Sequence, residues 1–183
     1  MKRTLITAVL LVLIASGGFA QQFGITASIA PLPYIGGDET FIYYNPLSLQ
    51  IGMDIRILPF LTLKPGVMFF MWNNSEDDEA DMLLGASLDV QYVMDWGNNF
   101  SIYIGPGVKY YQNTNWDTTG DVSDEDTAIE ISIVLGGQYM LSKNFGFFAD
   151  VGISYTMHTD DDSPGTDNII KTRNAYLGVV FYF

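Results

Sequence analysis

The chain has 183 residues, of which 21 are acidic and eight are Lys or Arg, so its net charge is −13; it contains no cysteine. This length is sufficient for one domain with a sizeable core. The lack of cysteine excludes disulfide frameworks, thiolate metal sites and thiol catalysis. The excess of negative charge provides no electrostatic basis for binding nucleic acid.

The first twenty residues have the three parts of a secretory signal peptide. Met1, Lys2 and Arg3 form a basic start, residues 5–15 form an apolar run, and Ser16-Gly-Gly-Phe-Ala20 provides small residues for a cleavage site. The alternative is a membrane anchor, but the apolar run is about 11 residues long and a spanning helix needs ~20. We therefore expect cleavage after Ala20, no lipid attachment, and one mature domain over residues 21–183.

Eight segments of the mature chain alternate apolar with small or polar residues, and a period of two predicts β-strands. In chain order they cover residues 23–30, 47–57, 61–71, 82–94, 100–111, 128–141, 145–158 and 173–183. The second is the clearest, with Leu47, Leu49, Ile51, Met53, Ile55 and Ile57 on one face. Pro31 is expected to end or bend the first strand.

Short turns alternate with long acidic connections between these strands. Tight turns are expected at 58–60, 95–99 and 141–144, and longer loops around 36–39 and over 73–81, 112–127 and 159–172. Sixteen of the 21 acidic residues lie in the intervals 38–39, 76–81, 117–126 and 160–167. Strands of about 9–11 residues, with short turns on one side and long loops on the other, are typical of outer-membrane barrels.

The composition of the small and polar face of the strands indicates which face of the barrel wall meets lipid. A soluble, lipocalin-like barrel would expose that face to water and carry many Lys and Glu there. Here it is mainly Gly, Ser, Thr, Gln and Tyr with few charges, which favours a polar interior and an apolar exterior in lipid. The charges on it form a predicted lumenal charge network: Asp54, Arg56, Lys64, Asp89, Lys109, Glu130 and Asp150. The fold class predicted is therefore all-β, a closed antiparallel up-and-down eight-stranded transmembrane β-barrel.

The last ten residues form an apolar strand that ends the chain, with Leu177, Val179, Phe181 and Phe183 on one face. An exposed edge of this kind invites aggregation in a soluble protein, whereas a closed barrel has no edge. The strand resembles the C-terminal strand of bacterial outer-membrane barrels. That resemblance implies that Phe183, Phe181, Val179 and Leu177 are an assembly signal for the barrel-assembly machinery.

Over the mature chain, the strand number, the alternation and the terminal Phe183 resemble the small eight-stranded outer-membrane barrels of the OmpA/OmpX type, or porin-family β-barrel domain. The resemblance implies a monomeric integral protein of a Gram-negative outer membrane, with outer-membrane lipid and lipopolysaccharide as its surroundings. Full-length OmpA-type proteins continue into a peptidoglycan-binding domain. The chain ends at the barrel, so we expect no cell-wall tether.

The register of the second and third strands predicts an ion pair in the lumen. A turn centred on Pro59 places Asp54 opposite Lys64 and Arg56 opposite Thr62. Such a pair is either a gate on an ion path or part of a structural plug. Because eight strands leave an interior just wide enough for side chains to fill, the plug is favoured.

Two features raise the question of an enzyme or a metal site. His158 is the only histidine, but Ser154 on the same face is ~13 Å away by strand rise, and the His-x-Ser pattern of lipid A deacylases is absent because Thr159 and Asp160 follow. The run from Asp160 to Asp167 could hold Ca²⁺ or Mg²⁺, although a solvated acidic loop is the favoured interpretation. We expect no catalytic residue, cofactor or metal site, and no nucleic-acid partner.

The sequence favours a structural or surface-interaction role carried by acidic extracellular loops. Three alternatives remain: a narrow porin for small solutes or ions, a lipid A-modifying enzyme, and a soluble lipocalin-like binder. Conductance separates a pore from a plug. The effect of His158→Ala on lipid A mass separates an enzyme from a scaffold, and solubility without detergent identifies the soluble binder.

Overall fold

A computed structural model describes residues 22–31, 47–74, 79–116, 122–159 and 166–183. The signal peptide expected at residues 1–20 lies outside this part of the chain. The strands are β1 Gln22–Pro31, β2 Leu47–Leu58, β3 Leu61–Asn74, β4 Glu79–Gly97, β5 Phe100–Trp116, β6 Val122–Met140, β7 Phe145–Thr159 and β8 Thr166–Tyr182. No helix long and apolar enough to cross a membrane occurs in the described residues.

The eight strands form one closed antiparallel barrel in sequence order. Each strand pairs with its neighbour along the chain, and β8 also pairs with β1 over Ile25↔Phe181 and Ile29↔Leu177. The predicted fold class is confirmed. Closure also explains the apolar C-terminal strand, because β8 has hydrogen-bonded neighbours on both sides and the backbone N–H of Phe183 donates to the carbonyl of Phe23 at 3.0 Å.

Several strands are longer at their loop ends than the alternation indicated. β4 and β6 each have 19 residues, which at ~3.3 Å per residue and a tilt of ~40° reach about 45 Å along the membrane normal, beyond the ~30 Å hydrocarbon core. The predicted loops 73–81, 112–127 and 159–172 are therefore largely wrong as loops. Part of their acidic sequence lies in strand ends instead: Glu79, Asp81, Asp124, Glu125, Asp126 and Asp167.

The predicted faces agree with the burial of the strands. On β7, Ile153 is 65% exposed, whereas its neighbour Ser154 is 2% exposed. Ile55 is an exception, because it has the parity of the outward face and yet is only 2% exposed. A continuous exposed apolar surface of this extent would be unstable in water, and it suits the lipid-facing wall of a membrane barrel.

The connections at one end of the barrel are tight, as expected. Gly97, Asn98 and Asn99 have φ of 88°, 52° and 64°, the left-handed region that Gly and Asn tolerate. In the turn 141–144, Asn144 accepts a hydrogen bond from the backbone N–H of Tyr182 at 2.7 Å and donates one through Nδ2 to the carbonyl of Tyr182, also at 2.7 Å. This turn is thereby attached to the last strand.

Candidate functional site

The lumen contains all seven charged residues of the predicted network. Asp54, Asp89, Lys109, Glu130 and Asp150 are buried, whereas Arg56 and Lys64 are partly exposed. An eighth charged residue, Arg173, is also buried there with 3% of its surface exposed. Among the side chains that the structure describes, the lumen therefore holds four carboxylates and four cations.

Arg173 and Asp89 form the closest of the ion pairs among the described lumenal side chains. Arg173 Nη2 donates to Asp89 Oδ2 at 2.9 Å and Nη1 donates to Asp89 Oδ1 at 3.1 Å, with a further bond from Nη1 to Ser132 Oγ at 3.1 Å. A bidentate guanidinium–carboxylate pair is strong and directional. The barrel wall leaves room for it at Gly107, where an added Cβ would overlap Asp89 Oδ1 and lie 2.9 Å from Arg173 Nη1.

A β-bulge in β8 places Arg173 inside the barrel. The register changes from Asp150↔Tyr176 to Gly152↔Arg173, so two residues of β8 oppose one residue of β7. Strict alternation back from Phe183 would give Arg173 the parity of the lipid-facing residues. The predicted network did not include Arg173. Its charge could have indicated a break in the alternation, because an arginine that faces lipid at mid-membrane costs about 2–4 kcal/mol.

Lys109 belongs to a second group, with Glu130 and Tyr176. Its Nζ lies 3.7 Å from Glu130 Oε1, donates to the hydroxyl of Tyr176 at 2.7 Å, and lies 4.1 Å from the centre of that ring. Lys109 and Glu130 are also directly paired across β5 and β6. Because Lys109 is 1% exposed, these contacts replace the water that its ammonium group loses on burial.

Lys64 and Asp54 form a third pair, across β2 and β3. Lys64 Nζ lies 3.6 Å from Asp54 Oδ2, an ion pair without a hydrogen bond, and 4.2 Å from the centre of the Tyr103 ring. The hydroxyl of Tyr103 donates to Asp150 Oδ2 at 3.3 Å. The structure thus brings together the two side chains that the predicted register placed opposite each other.

Packed side chains fill much of the described lumen around these ion pairs. Toward the loop ends of the strands, Met68, Leu83, Tyr111 and Ala128 form a buried apolar cluster. Among Lys64, Asp89, Asp150, Arg173, Tyr176 and their neighbours, the free space is about 20 Å³, room for about one water molecule. Toward the turns, the lumen opens into a cavity of about 630 Å³, called the turn-end cavity below.

The side chains that raised the question of a catalytic or metal site lie mostly outside the described part of the chain. His158 pairs along the backbone with Ala128 and Asp167, and its side chain, like all of Asp160, lies outside the described residues. Ser154 is buried in the wall. Within the described residues, no group of three or more His, Asp or Glu side chains could hold a metal ion.

The fold has close counterparts among solved outer-membrane barrels. The N-terminal β-barrel domain of OprF from Pseudomonas aeruginosa is 15% identical, with a TM-score of 0.58 over 90% of this chain and 98% of that one. Neisserial surface protein A is 17% identical (TM-score 0.56, 88% and 96% covered). Ail, the attachment invasion locus protein of Yersinia pestis, is 14% identical (TM-score 0.54, 88% and 97%). At these identities the likeness shows the fold alone.

The sequence itself also matches a family over nearly its whole length. No curated protein sequence matches the chain. Residues 6–183 match the family described as outer membrane protein beta-barrel domain, in agreement with the eight-stranded closed barrel. The chain therefore belongs to the outer-membrane protein β-barrel domain family, as a small eight-stranded barrel of the OmpA/OmpX type.

Proposed function

We propose that this protein is a non-conducting barrel of the bacterial outer membrane that acts as a scaffold for its acidic loops. The filled lumen is the observation that supports a non-conducting barrel. Three ion pairs and an apolar cluster occupy the described interior, and the space left among the central side chains is about 20 Å³. A hydrated ion would have to displace buried, paired charges, which is energetically costly.

The proposed role as a scaffold for acidic loops rests on the charge of the connecting segments. Residues 32–46, 75–78, 117–121 and 160–165 contain ten acidic residues and no Lys or Arg. They join the strand ends opposite the tight turns, the side that faces the exterior in outer-membrane barrels. A surface of one sign attracts partners of opposite sign and repels those of like sign. The loops therefore suit a basic or neutral partner.

One structural neighbour provides a contrast in ligand chemistry. Ail has been crystallised with sucrose octasulfate, a heparin analogue. A polysulfated ligand would be repelled by the acidic segments of this chain. We infer that the loops do not share that ligand class, although the barrels share a fold.

Export to the outer membrane is part of the same proposal. The basic start, the apolar run and the small residues before Gln21 support passage through a secretory route with cleavage after Ala20. The outward-facing Leu177, Phe181 and Phe183 support recognition by an assembly machinery. N-terminal sequencing of the membrane-extracted protein tests the cleavage, and a chain that still begins at Met1 would contradict it.

Conductance across a planar bilayer tests the closed lumen. The refolded mature protein is compared with Lys64→Ala and with an Asp54→Asn/Lys64→Gln double variant, and insertion is checked by heat-modifiable migration on gels. We expect no stable conductance steps from any of them, and a lower stability for Lys64→Ala. Stable steps in the unaltered protein that change with these substitutions would instead identify a narrow porin.

The acidic loops can be tested with two probes of opposite charge. Proteoliposomes that carry the protein are exposed to polylysine and to sucrose octasulfate, alongside an Asp160→Asn/Asp161→Asn/Asp162→Asn variant. We expect polylysine to bind, to dissociate as salt is raised, and to bind the variant less tightly. Binding of the sulfated probe in preference to polylysine would contradict the proposed partner class.

A further inference from the structure

The turn-end cavity has the size and the lining of a small-molecule site. Its volume of about 630 Å³ lies within the ~300–1,000 Å³ range of ligand pockets. Strand ends and turns from around the barrel converge on it. Its polar lining includes Gln22, Arg56, Ser101, Gln138, Lys143 and Tyr182.

Arg56 is the lumenal cation that the described protein leaves without a carboxylate. Lys64, Lys109 and Arg173 each have a carboxylate oxygen within 3.7 Å, whereas Arg56 has no ion pair among the described residues. Its Nε is buried and has no hydrogen-bond partner there. A buried N–H of a charged group without an acceptor is costly, so an acceptor that enters the cavity would be stabilised at this position.

Two neighbours of Arg56 on the lumenal side also have unused polar atoms. Thr62 pairs with Arg56 across β2 and β3, and Gln91 pairs with Thr62 across β3 and β4. Thr62 Oγ1 and both amide atoms of Gln91 are buried without partners in the described structure. A row of unsatisfied polar groups therefore continues along the lumenal wall from Arg56 across β3 and β4.

The other polar groups of the lining include the exposed Lys143, while Asp95, Gln138 and Tyr182 are neutral or accept a hydrogen bond. Asp95 is the acidic side chain of the lining, and its Oδ1 accepts a hydrogen bond from Ser101 Oγ at 2.7 Å. Gln138 Nε2 donates to the hydroxyl of Tyr182 at 3.1 Å, which forms a buried neutral wall. With Arg56 and the exposed Lys143 against Asp95, the lining carries one excess positive charge.

We propose that the turn-end cavity binds the phosphate or carboxylate group of a small solute or of a lipid headgroup, with Arg56 as its anchor. The planar guanidinium presents paired donors that match these anions. The acidic loops repel anions at the opposite end of the barrel, so the turn end is the side from which an anion can approach. Binding in the turn-end cavity does not require a conducting or a closed lumen. The binding proposal therefore does not depend on the outcome of the bilayer experiment.

Inorganic phosphate is the probe for the first test. The ¹⁵N-labelled, refolded protein in dodecyl maltoside micelles is titrated with phosphate at constant ionic strength, and the side-chain amides of Gln138 and Gln22 are followed by NMR. We expect saturable shifts with a Kd on the order of millimolar. Arg56→Gln is expected to weaken binding about tenfold or more. Arg56→Lys is expected to weaken it to an intermediate degree, because lysine keeps the charge but lacks the paired donors of the guanidinium.

Lys171→Gln is the matched control, because it removes the same charge from β8, opposite Ser154 and away from the cavity. Its Kd is expected to stay within about twofold of the unaltered value, since separated charges are screened. Heat-modifiable migration shows that each variant is folded. An absence of saturation, an unchanged Kd in Arg56→Gln and Arg56→Lys, or an equal loss in Lys171→Gln would overturn the site.

Nanodiscs distinguish the two sources of the anion. If phosphatidylglycerol in place of phosphatidylcholine shifts the Gln138 and Gln22 amides without added phosphate, and the shift is lost in Arg56→Gln, the headgroup is the ligand. If only added phosphate shifts them, the ligand is a soluble anion. If neither shifts them, the proposal is wrong.

Discussion

At the residue scale, the interior depends on charges that are stable only in pairs. Arg173 and Asp89 are 84 residues apart in sequence and form two hydrogen bonds deep in the barrel. Removing one member of a buried pair leaves the other charge without water and without a partner, which costs more than removing both. The stability of this barrel should therefore respond differently to single and double substitutions.

Arg173→Met tests that dependence. Because Asp89 would remain buried and unpaired, we expect the free energy of unfolding to fall by about 3–5 kcal/mol, measured by urea unfolding in lipid vesicles. The Arg173→Met/Asp89→Leu double variant should recover a large part of the loss. If the two losses simply add, the pair is not coupled as the structure indicates.

Gly107 is required by the close approach of the same pair. An added Cβ would overlap Asp89 Oδ1 and lie 3.0 Å from Ser132 Oγ, so we expect Gly107→Ala to destabilise the barrel by about 1–3 kcal/mol through overpacking. Gly85→Ala is the matched control, because the nearest atom to its added Cβ is 3.2 Å away in the Tyr111 ring. Equal losses in the same unfolding measurement would contradict this explanation.

At the element scale, β8 combines a regular half and an irregular half. From Tyr176 to Phe183 the alternation follows the sequence pattern, with Tyr176, Val180 and Tyr182 buried and Leu177, Phe181 and Phe183 exposed. Beyond the bulge the parity reverses, which brings Arg173 inside. Alternation could predict the first half because each residue's side follows from that of its neighbour, and it could not predict the second because a bulge adds one residue.

Phe183→Ala separates assembly from stability. Phe183 is 72% exposed, and its ring contacts are with Phe23 and Phe181 at the barrel surface. We therefore expect the substitution to change the free energy of folding into vesicles by less than about 1 kcal/mol. If the terminal residue is an assembly signal, the heat-modifiable form in the outer membrane of expressing cells should decrease strongly. Normal assembly in cells would contradict that role.

At the scale of the whole molecule, charge is distributed along the barrel axis. The described lumen balances four carboxylates with four cations, the turn-end cavity has an excess positive charge, and the connecting segments at the far end carry acidic residues and no Lys or Arg. Stability therefore depends on the middle of the barrel, and recognition is expected at its two ends.

The Asp160→Asn/Asp161→Asn/Asp162→Asn variant tests this separation. Charges in solvent contribute little to folding, so we expect its free energy of unfolding by urea in vesicles to match that of the unaltered protein within about 0.5 kcal/mol. A marked loss of stability, or a midpoint in the unaltered protein that falls on addition of a chelator, would instead assign these carboxylates to a structural cation site.

The sequence by itself determined the strand number, the two faces, the tight turns and seven of the eight lumenal charges whose side chains are described. These follow from local physics, because a strand alternates its side chains, lipid excludes charge, and Gly and Asn accept left-handed turns. The tertiary structure alone decided which charges pair and how far β4 and β6 extend. It also decided that Arg173 lies in the lumen and that Arg56 lines the turn-end cavity. Contacts across a barrel depend on the register and bulges of every strand between them, and no single strand's pattern contains that information.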